Sequence, residues 1–407
     1  MKKVDAIVIG GGIASWVLAL RLSKLKGLKR ILIITSDHFH NASINNQSWL
    51  QSGCLYNFDI KKEREVARLC IEHGKKLLDI TNRRFEFESG TGIMAVKNEE
   101  EAAKRIQFLK EIGHMKYPDF MLKPEEVHNL LGEFSKSKNF NDETRFIWTP
   151  DQPFPEGELL RNCEEAFLSS SVHRERIVAD AALYPSNKTK NGYVVRANGV
   201  DYDTKKLFVI AGINTPNLLM PLGIDGLIDV TARRCVLLKA DIRTDLKVAI
   251  YMDKVNNTNI NIVKNKNGDN VYLFGDGLYT EVEDINNIEL KRQVTDEEVQ
   301  RFISNYCDEN KYPQLERKLS PFFKDIRNFN VCYKVENQSY LPWIYNMGEL
   351  TENTYKNLHV AGAGKATLAF YVAEKLIYNA GLDSTKYSGE ENAIIKDLSL
   401  IAHWSEC

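Results

Sequence analysis

The chain lacks any run near the ~18 consecutive apolar residues that a membrane-crossing helix needs. It also lacks a dominant sign of charge: 54 Lys and Arg stand against 55 Asp and Glu, which leaves no electrostatic case for nucleic acid or an anionic membrane as partner. The seven cysteines are odd in number and form no C-x-x-C pair. That argues against a disulfide framework or a metal site and for reduced thiols in a cytoplasmic protein. There is no equal-period repeat and no low-complexity linker. Lys2-Lys3 before an apolar stretch has the outline of a secretory signal, but Asp5 and a glycine triplet interrupt it and no small-residue cleavage site follows. What remains is a globular composition, and 407 residues suffice for two or three domains.

A glycine cluster opens the chain. Val4 to Ile9 is a short apolar run of the kind that forms a buried parallel strand, Gly10-Gly11-Gly12 follows, and Ile13 onward repeats apolar positions at helical spacing. Such a turn lets backbone N–H groups approach a pyrophosphate, and the helix N-terminus adds its positive end. Gly10 and Gly12 fit the G-x-G-x-x-G signature, Ile13 and Ala14 lie inside it, and Ser15 stands where a third Gly is expected. An ordinary strand–turn–helix without a ligand is the plainer alternative. Arg30 to Ile34 reads as the second strand. The carboxylate expected at its end comes late, as Asp37 after Thr35 and Ser36, so Asp37 or Thr35 is the candidate ribose contact. No Arg follows to meet a 2′-phosphate, which disfavours NADP.

Farther on, a polar loop over 38–52 contains Ser43, Asn46, Gln47 and Trp49. Glu63 to Thr81 reads as an amphipathic helix with His73 on its buried face. Helices follow at Glu99 to Ile112, Pro124 to Leu131 and Glu158 to Ser169, and strands at Arg145 to Thr149 and Val172 to Val178. Asn198-Gly199 is a hairpin turn between Tyr193–Ala197 and Val200. Lys206 to Ile210 is a buried strand ending at Ala211-Gly212, Ala232 to Thr280 is rich in strands, and Asp296 to Glu309 is helical. Leu358 to Gly362 forms a last strand before Ala363-Gly364-Lys365-Ala366-Thr367 and a helix to Asn379. Nucleotide-type strand–turn elements therefore recur with strand-rich segments between them, which points to two interleaved domains.

Together these landmarks resemble the FAD-dependent D-amino-acid oxidase family, which includes glycine and sarcosine oxidases, over nearly the whole chain. The carriers are Ile7-Val8-Ile9-Gly10-Gly11-Gly12-Ile13-Ala14-Ser15, Thr149-Pro150-Asp151, Arg176-Ile177-Val178, Phe208 to Pro216, and Val360-Ala361-Gly362-Ala363-Gly364. The resemblance implies an α/β fold: a Rossmann-type FAD-binding domain (1–84, 149–230, 327–407) interleaved with a smaller antiparallel-sheet substrate domain (85–148, 231–326). It implies non-covalent FAD near Gly10, Gly12, Ile13, Ala14, Ser15, Thr35, Ser36, Asp37, Ser43, Asn46, Gln47, Val178, Ala211, Gly212, Gly362, Gly364, Lys365, Ala366 and Thr367. Hydride would pass from a small amine or amino-acid-like substrate to flavin N5, and water would hydrolyse the imine. O2 or an unknown carrier would reoxidise the flavin.

The departures matter as much. Lys334, in Phe329-Asn330-Val331-Cys332-Tyr333-Lys334, stands where the family's carboxylate-binding Arg falls; it offers a point charge in place of a fork. Lys365 is the second candidate anion contact. Either lysine could instead be a solvated surface charge. Some relatives attach flavin covalently through a Cys one residue away from Cys332 or through a His in the region of His38 and His40, with an inert thiol and solvated loop residues as the plainer readings here. Tyr333, Tyr340, Trp343 and Trp49 are aromatics available for an apolar lid, although aromatics are more often core. An FAD monooxygenase or halogenase-like enzyme, or a flavin-binding maturation or assembly partner, are the competing functions. A protein partner or a homo-oligomer is compatible with the chain.

Overall fold

Alternate residues of the opening strand, Lys2–Ile9, enter two different cores. Ala6 and Val8 pack under the helices Ile13–Ser23 and Ala369–Asn379, while Ile7 and Ile9 join Leu183, Val195 and Leu219 on the other side. A strand covered on both faces has to be apolar throughout, which is why Ala6 to Ile9 carries no polar residue. The computed structural model describes residues 1–36, 43, 48–56, 58–79, 92–111, 120–154, 156–169, 173–186, 191–228, 230–264, 269–275, 280–282, 293–336 and 342–382.

Among the described residues the first sheet has eight strands. Its path runs Trp343–Asn346, Leu358–Gly362, Val200–Val209, Lys2–Ile9, Arg30–Thr35 and His173–Val178. The last five of these are mutually parallel. A meander of Ala181–Pro185 and Tyr193–Ala197 attaches to Val200–Val209 through the expected hairpin, with Asn198 and Gly199 both at positive φ (47° and 73°). Those two angles are the type I′ geometry that Asn-Gly favours.

The second sheet also has eight described strands: Thr280–Val282, Thr231–Ala240, Asn270–Gly275, Thr258–Lys264, Ile250–Asp253, Gly92–Val96 and Arg145–Thr149 along its path, with Phe329–Glu336 added beside Thr231–Ala240. It is antiparallel apart from the pair Ile250–Asp253 and Gly92–Val96. Phe329–Glu336, assigned on sequence grounds to the cofactor-domain stretch 327–407, belongs to this sheet. It is held there by eight residue pairs with Thr231–Ala240.

Helices Asp296–Tyr306 and Leu315–Phe323 cover one face of the second sheet, burying Phe302, Tyr306, Leu315 and Leu319 against Val236, Leu238, Phe274 and Phe329. The first starts on a capping box: Thr295 Oγ1 accepts from Glu298 N–H (3.2 Å) and Glu298 Oε2 accepts from Thr295 N–H (2.9 Å). The same Glu298 carboxylate takes a fork from Arg234 at 2.7 and 3.0 Å, tying strand to helix. The second helix carries Pro321 near its end, the reason its sequence does not read as helical. The opposite face holds Met94, Val96, Ile147, Ile250 and Met252 against Trp49 and Cys54. Among the described residues no helix is long and apolar enough to cross a membrane.

Two histidines are buried without being ionised. His359 stacks on Phe208 (centroids 5.3 Å apart), neither ring nitrogen has a partner, and burial with the charge of Lys206 lowers its pKa to about 4. His73 lies on the buried face of Lys61–Asp79, as expected, and burial with the charges of Lys76, Lys375 and Arg68 lowers it to about 3. A histidine whose folded pKa is depressed takes up protons first in the unfolded chain, so stability falls as pH drops below about 6.5. Each histidine should account for about 2 kcal/mol of lost stability between pH 7 and pH 5. Urea unfolding at the two pH values measures this, and His359→Phe should remove about half of the loss. An unchanged pH slope in the variant would show His359 protonated, or exposed, in the folded state.

Candidate active site

Because five strands of the first sheet run in the same direction, their C-terminal ends share one edge, and the turns at Gly10–Gly12, Gly212 and Gly364 leave from it. Ile9 lies opposite Val209 and Ile34, Val209 lies opposite Val360, and Thr35 lies opposite Val178. The turns after Ile9 and after Gly362 are therefore two strand spacings apart, about 10 Å. Ligands of open α/β sheets bind outside this edge.

At the first turn Gly10 has φ +141° and donates its N–H to Ile34 O (2.9 Å). A Cβ there would come within 2.5 Å of Ser15 Oγ. Ser15 is wholly buried and donates its hydroxyl to Ile210 O (3.1 Å), so a hydrogen bond makes the close helix–strand approach that a third Gly would make by having no side chain. The Ile13 N–H at the start of the helix donates to Ser43 Oγ (3.1 Å), which brings Ser43 to the turn. Thr35 ends the second strand fully buried, with no partner for its hydroxyl among the described residues, and Ser36 beside it is exposed. Val178 is exposed on the neighbouring strand end. Gly212 (φ +56°) and Gly364 (φ +63°) both have open space where a side chain would project. Gly362 differs: a Cβ there would meet the Trp343 ring at 2.5 Å, so this glycine serves packing. Asp37, Asn46, Gln47, His38, His40 and Tyr340 lie outside the described residues.

The second sheet contributes the facing wall. Alternation along Thr231–Ala240 and Phe329–Glu336 puts Arg233 opposite Lys334 and Cys235 opposite Cys332 on one face, with Glu336 beyond them. Lys365 arrives from the turn after Gly364, with Nζ 5.2 Å from the centroid of the Tyr56 ring. Burial lowers the Lys365 pKa and the positive charge of Lys334 lowers it further; Glu336, Cys70 and Cys235 oppose the shift. The two lysines picked from the sequence thus act on each other electrostatically, although 31 residues separate them. Arg233 meets Glu336 at 3.7 Å, so three cations converge here around one carboxylate. Like charges directly opposed on a sheet are destabilising, and an anion between them relieves the repulsion.

Asp151 joins the two halves. Its buried carboxylate accepts from Trp49 Nε1 (2.9 Å), Ser52 N–H (2.7 Å) and Ser52 Oγ (2.8 Å). Burial pushes its carboxyl above the usual range, and these hydrogen bonds pull the other way. The loop so held donates Gln51 N–H to Thr367 Oγ1 (3.3 Å), next to Lys365. Arg105 supports the continuation of this loop by donating to the carbonyl of Cys54.

Three of the aromatics considered for a lid are engaged elsewhere. Trp343 is core beneath Gly362, Trp49 is spent on Asp151, and Tyr333 lies on the far face of its strand, bonded to Arg234 at 3.0 Å. Among the described residues the aromatic at the site is Tyr56, which sequence reasoning passed over along with Arg233, while Asp151 enters that reasoning only within the Thr149-Pro150-Asp151 motif. Alternation from Lys334 would have found a partner for it only if the strand pairing had been known. Among the described residues no group of His, Cys, Asp or Glu could hold a metal.

The sequence matches the family described as "DAO: FAD dependent oxidoreductase" over residues 5–308. The chain belongs to that family. No curated protein sequence matches it. Among solved structures it is similar to glycine oxidase from Geobacillus kaustophilus (14% identity, covering 95% of this chain and 97% of that one, TM-score 0.68) and to NikD, an unusual amino acid oxidase essential for nikkomycin biosynthesis (16%, 98% and 97%, TM-score 0.70). It is also similar to L-α-glycerophosphate oxidase from Mycoplasma pneumoniae with FAD bound (14%, 96% and 97%, TM-score 0.63). At these identities the likeness concerns the fold. Membership of the family makes this DAO protein an FAD-dependent oxidoreductase.

Removing the Asp151 carboxylate strands the Trp49 and Ser52 donors in a buried place. Asp151→Ala should cost about 3 kcal/mol or more in unfolding free energy. Asp151→Asn, which keeps the volume and one acceptor, should cost less. Equal stability of Asp151→Ala and the parent protein in urea titration would show that the loop does not depend on this residue.

Proposed function

We propose that this oxidoreductase removes two electrons from a small amine or amino-acid-like substrate bearing an anionic group, and that Lys334 and Lys365 hold that group, with Lys334 in the role of the family's arginine. The convergence of Lys334, Lys365 and Arg233 around Glu336, facing the glycine-turn edge, carries the reading. The amino-acid oxidases among its structural relatives support the amine class.

The residues on the sheet edge suit FAD. The turn Gly10, Gly12, Ile13, Ala14 and Ser15 would take the diphosphate, aided by Ser43. Thr35, whose buried hydroxyl has no partner among the described residues, and Ser36 would face the ribose, with Val178 beside the adenine. Ala211 and Gly212, and then Gly362, Gly364, Lys365, Ala366 and Thr367, would border the rest of the cofactor, with open space at both Gly212 and Gly364. When bound, FAD supplies the two-electron acceptor that takes a hydride from the substrate C–H. The segments 1–84, 149–230 and 337–407 would then carry the cofactor, and 85–148 with 231–336 the substrate. O2 or another electron carrier would take up the two electrons in the second half-reaction. The six described cysteines are all unpaired, which supports a reducing compartment such as the cytoplasm.

The chain's own contribution is charge and position. Two ammonium groups grip an anion at separate points, without the planar match of a guanidinium. Lys365 loses its proton at lower pH than an ordinary lysine, because burial and Lys334 disfavour its charge. Anion binding should therefore weaken as pH rises, with a midpoint below 10.5. Glu336 offsets part of the local positive charge.

Anaerobic bleaching of the purified yellow protein with amine and amino-acid libraries identifies the substrate class. For the substrate found, Lys334→Met and Lys365→Met should each raise KM by about 10- to 100-fold with a smaller effect on kcat. The alkaline loss of binding should vanish in Lys365→Met. Unchanged KM in both variants would overturn the assignment of the lysines, and no bleaching by any amine would overturn the substrate class.

A further inference from the structure

The sulfur pair of the anion wall has no part in the proposed reaction. Cys235 and Cys332 are directly opposed across the antiparallel strands Thr231–Ala240 and Phe329–Glu336. Directly opposed residues have Cα atoms about 4.5 or 5.5 Å apart, according to the hydrogen-bonding position. Both values fall inside the range a disulfide spans without backbone movement. Alternation places both side chains on the same face, and both thiols are free and buried. We propose that Cys235 and Cys332 form a peroxide-sensitive dithiol that closes to a reversible disulfide beside the anion site.

The surroundings assign the roles. Cys235 can turn its thiol proton toward the Cys332 sulfur or toward Arg233 O, 3.7 Å away. When it donates to Cys332 it stabilises a thiolate there, and the nearby Lys334 and Arg234 charges add to this, so the Cys332 thiol is lowered while Cys235 is raised. Other buried cysteines go the opposite way: desolvation pushes Cys70 and Cys163 up to about 12. Cys235, whose thiol has Arg233 O as an acceptor, is the resolving sulfur, and Cys332, two residues from Lys334 on the same face, is the attacking one.

The chemistry balances with hydrogen peroxide as oxidant. The Cys332 thiolate attacks one peroxide oxygen, the O–O bond breaks, a sulfenic acid forms and hydroxide leaves as water after taking a proton. The Cys235 sulfur then attacks the Cys332 sulfur, the S–O bond breaks and a second water leaves with the Cys235 proton. Two thiols give up two electrons, and the peroxide is reduced to two waters. A dithiol reductant reverses the closure by exchange. The proposal does not depend on which substrate is oxidised, because added peroxide is sufficient.

The test uses the FAD-loaded, full-length protein with a few equivalents of hydrogen peroxide. Thiols are then alkylated under denaturing conditions and the peptides are mapped by mass spectrometry. The expected result is loss of two of the seven thiols, a linked Cys235–Cys332 peptide and full recovery with dithiothreitol. In Cys235→Ser, dimedone should label Cys332 and no disulfide should form. In Cys332→Ser, Cys235 should stay reduced. Seven intact thiols in the peroxide-treated parent protein would overturn the proposal, as would oxidation confined to other cysteines or a flavin bonded to Cys332. The mapping of the parent protein decides the matter even where a variant fails to fold.

Discussion

The structure depends first on five parallel strands ending together. Parallel pairing of Leu358–Gly362, Val200–Val209, Lys2–Ile9, Arg30–Thr35 and His173–Val178 forces turns that are hundreds of residues apart in sequence onto one edge. Without that shared direction, Gly10 and Gly364 would be unrelated loops. The Ser15 hydroxyl on Ile210 O holds the first helix against this edge at the distance that a glycine would otherwise provide. A departure from the family signature at this position is thus a change of means within the same geometry.

The second constraint is the mutual placement of the two sheets. The second sheet turns its helix-covered face outward and presents Arg233, Lys334, Cys235, Cys332 and Glu336 on the other. Asp151 fastens the loop that bridges from Trp49 and Ser52 to Thr367, so the buried carboxylate supports both walls of the site. Charge gathered on a half-buried face is costly unless compensated, and Glu336 supplies part of that compensation here.

Much of the architecture was legible because its signals are local. The Asn198-Gly199 hairpin follows from two residues that tolerate positive φ, and Pro124–Leu131 from proline and acidic residues in a first turn. The recurrence of strand–glycine turns with strand-rich segments between them pointed to the interleaved plan, and the two sheets draw their strands from the chain in that alternating way. Elements without a local signal were overlooked: Ala181–Pro185, whose last two residues are exposed, and Leu315–Phe323, whose pattern Pro321 disguises. The aromatics misled for a related reason. Trp343 and Tyr333 lie close in sequence to Lys334, but strand alternation and the Gly362 contact send them elsewhere.

By itself the sequence determined the elements whose cause lies within a few residues: the glycine turn, the apolar parallel strands and the Asn198-Gly199 hairpin; the pair of lysines worth testing came from the resemblance to the family. Only the tertiary structure decided that Lys334 stands opposite Arg233, that Lys365 comes within reach of its charge, and that Tyr56 and Asp151 complete the site. The physical reason is the range of the forces involved. Backbone preference acts over one turn of chain, whereas charge and burial act through space, and a linear pattern does not record which distant surfaces are pressed together.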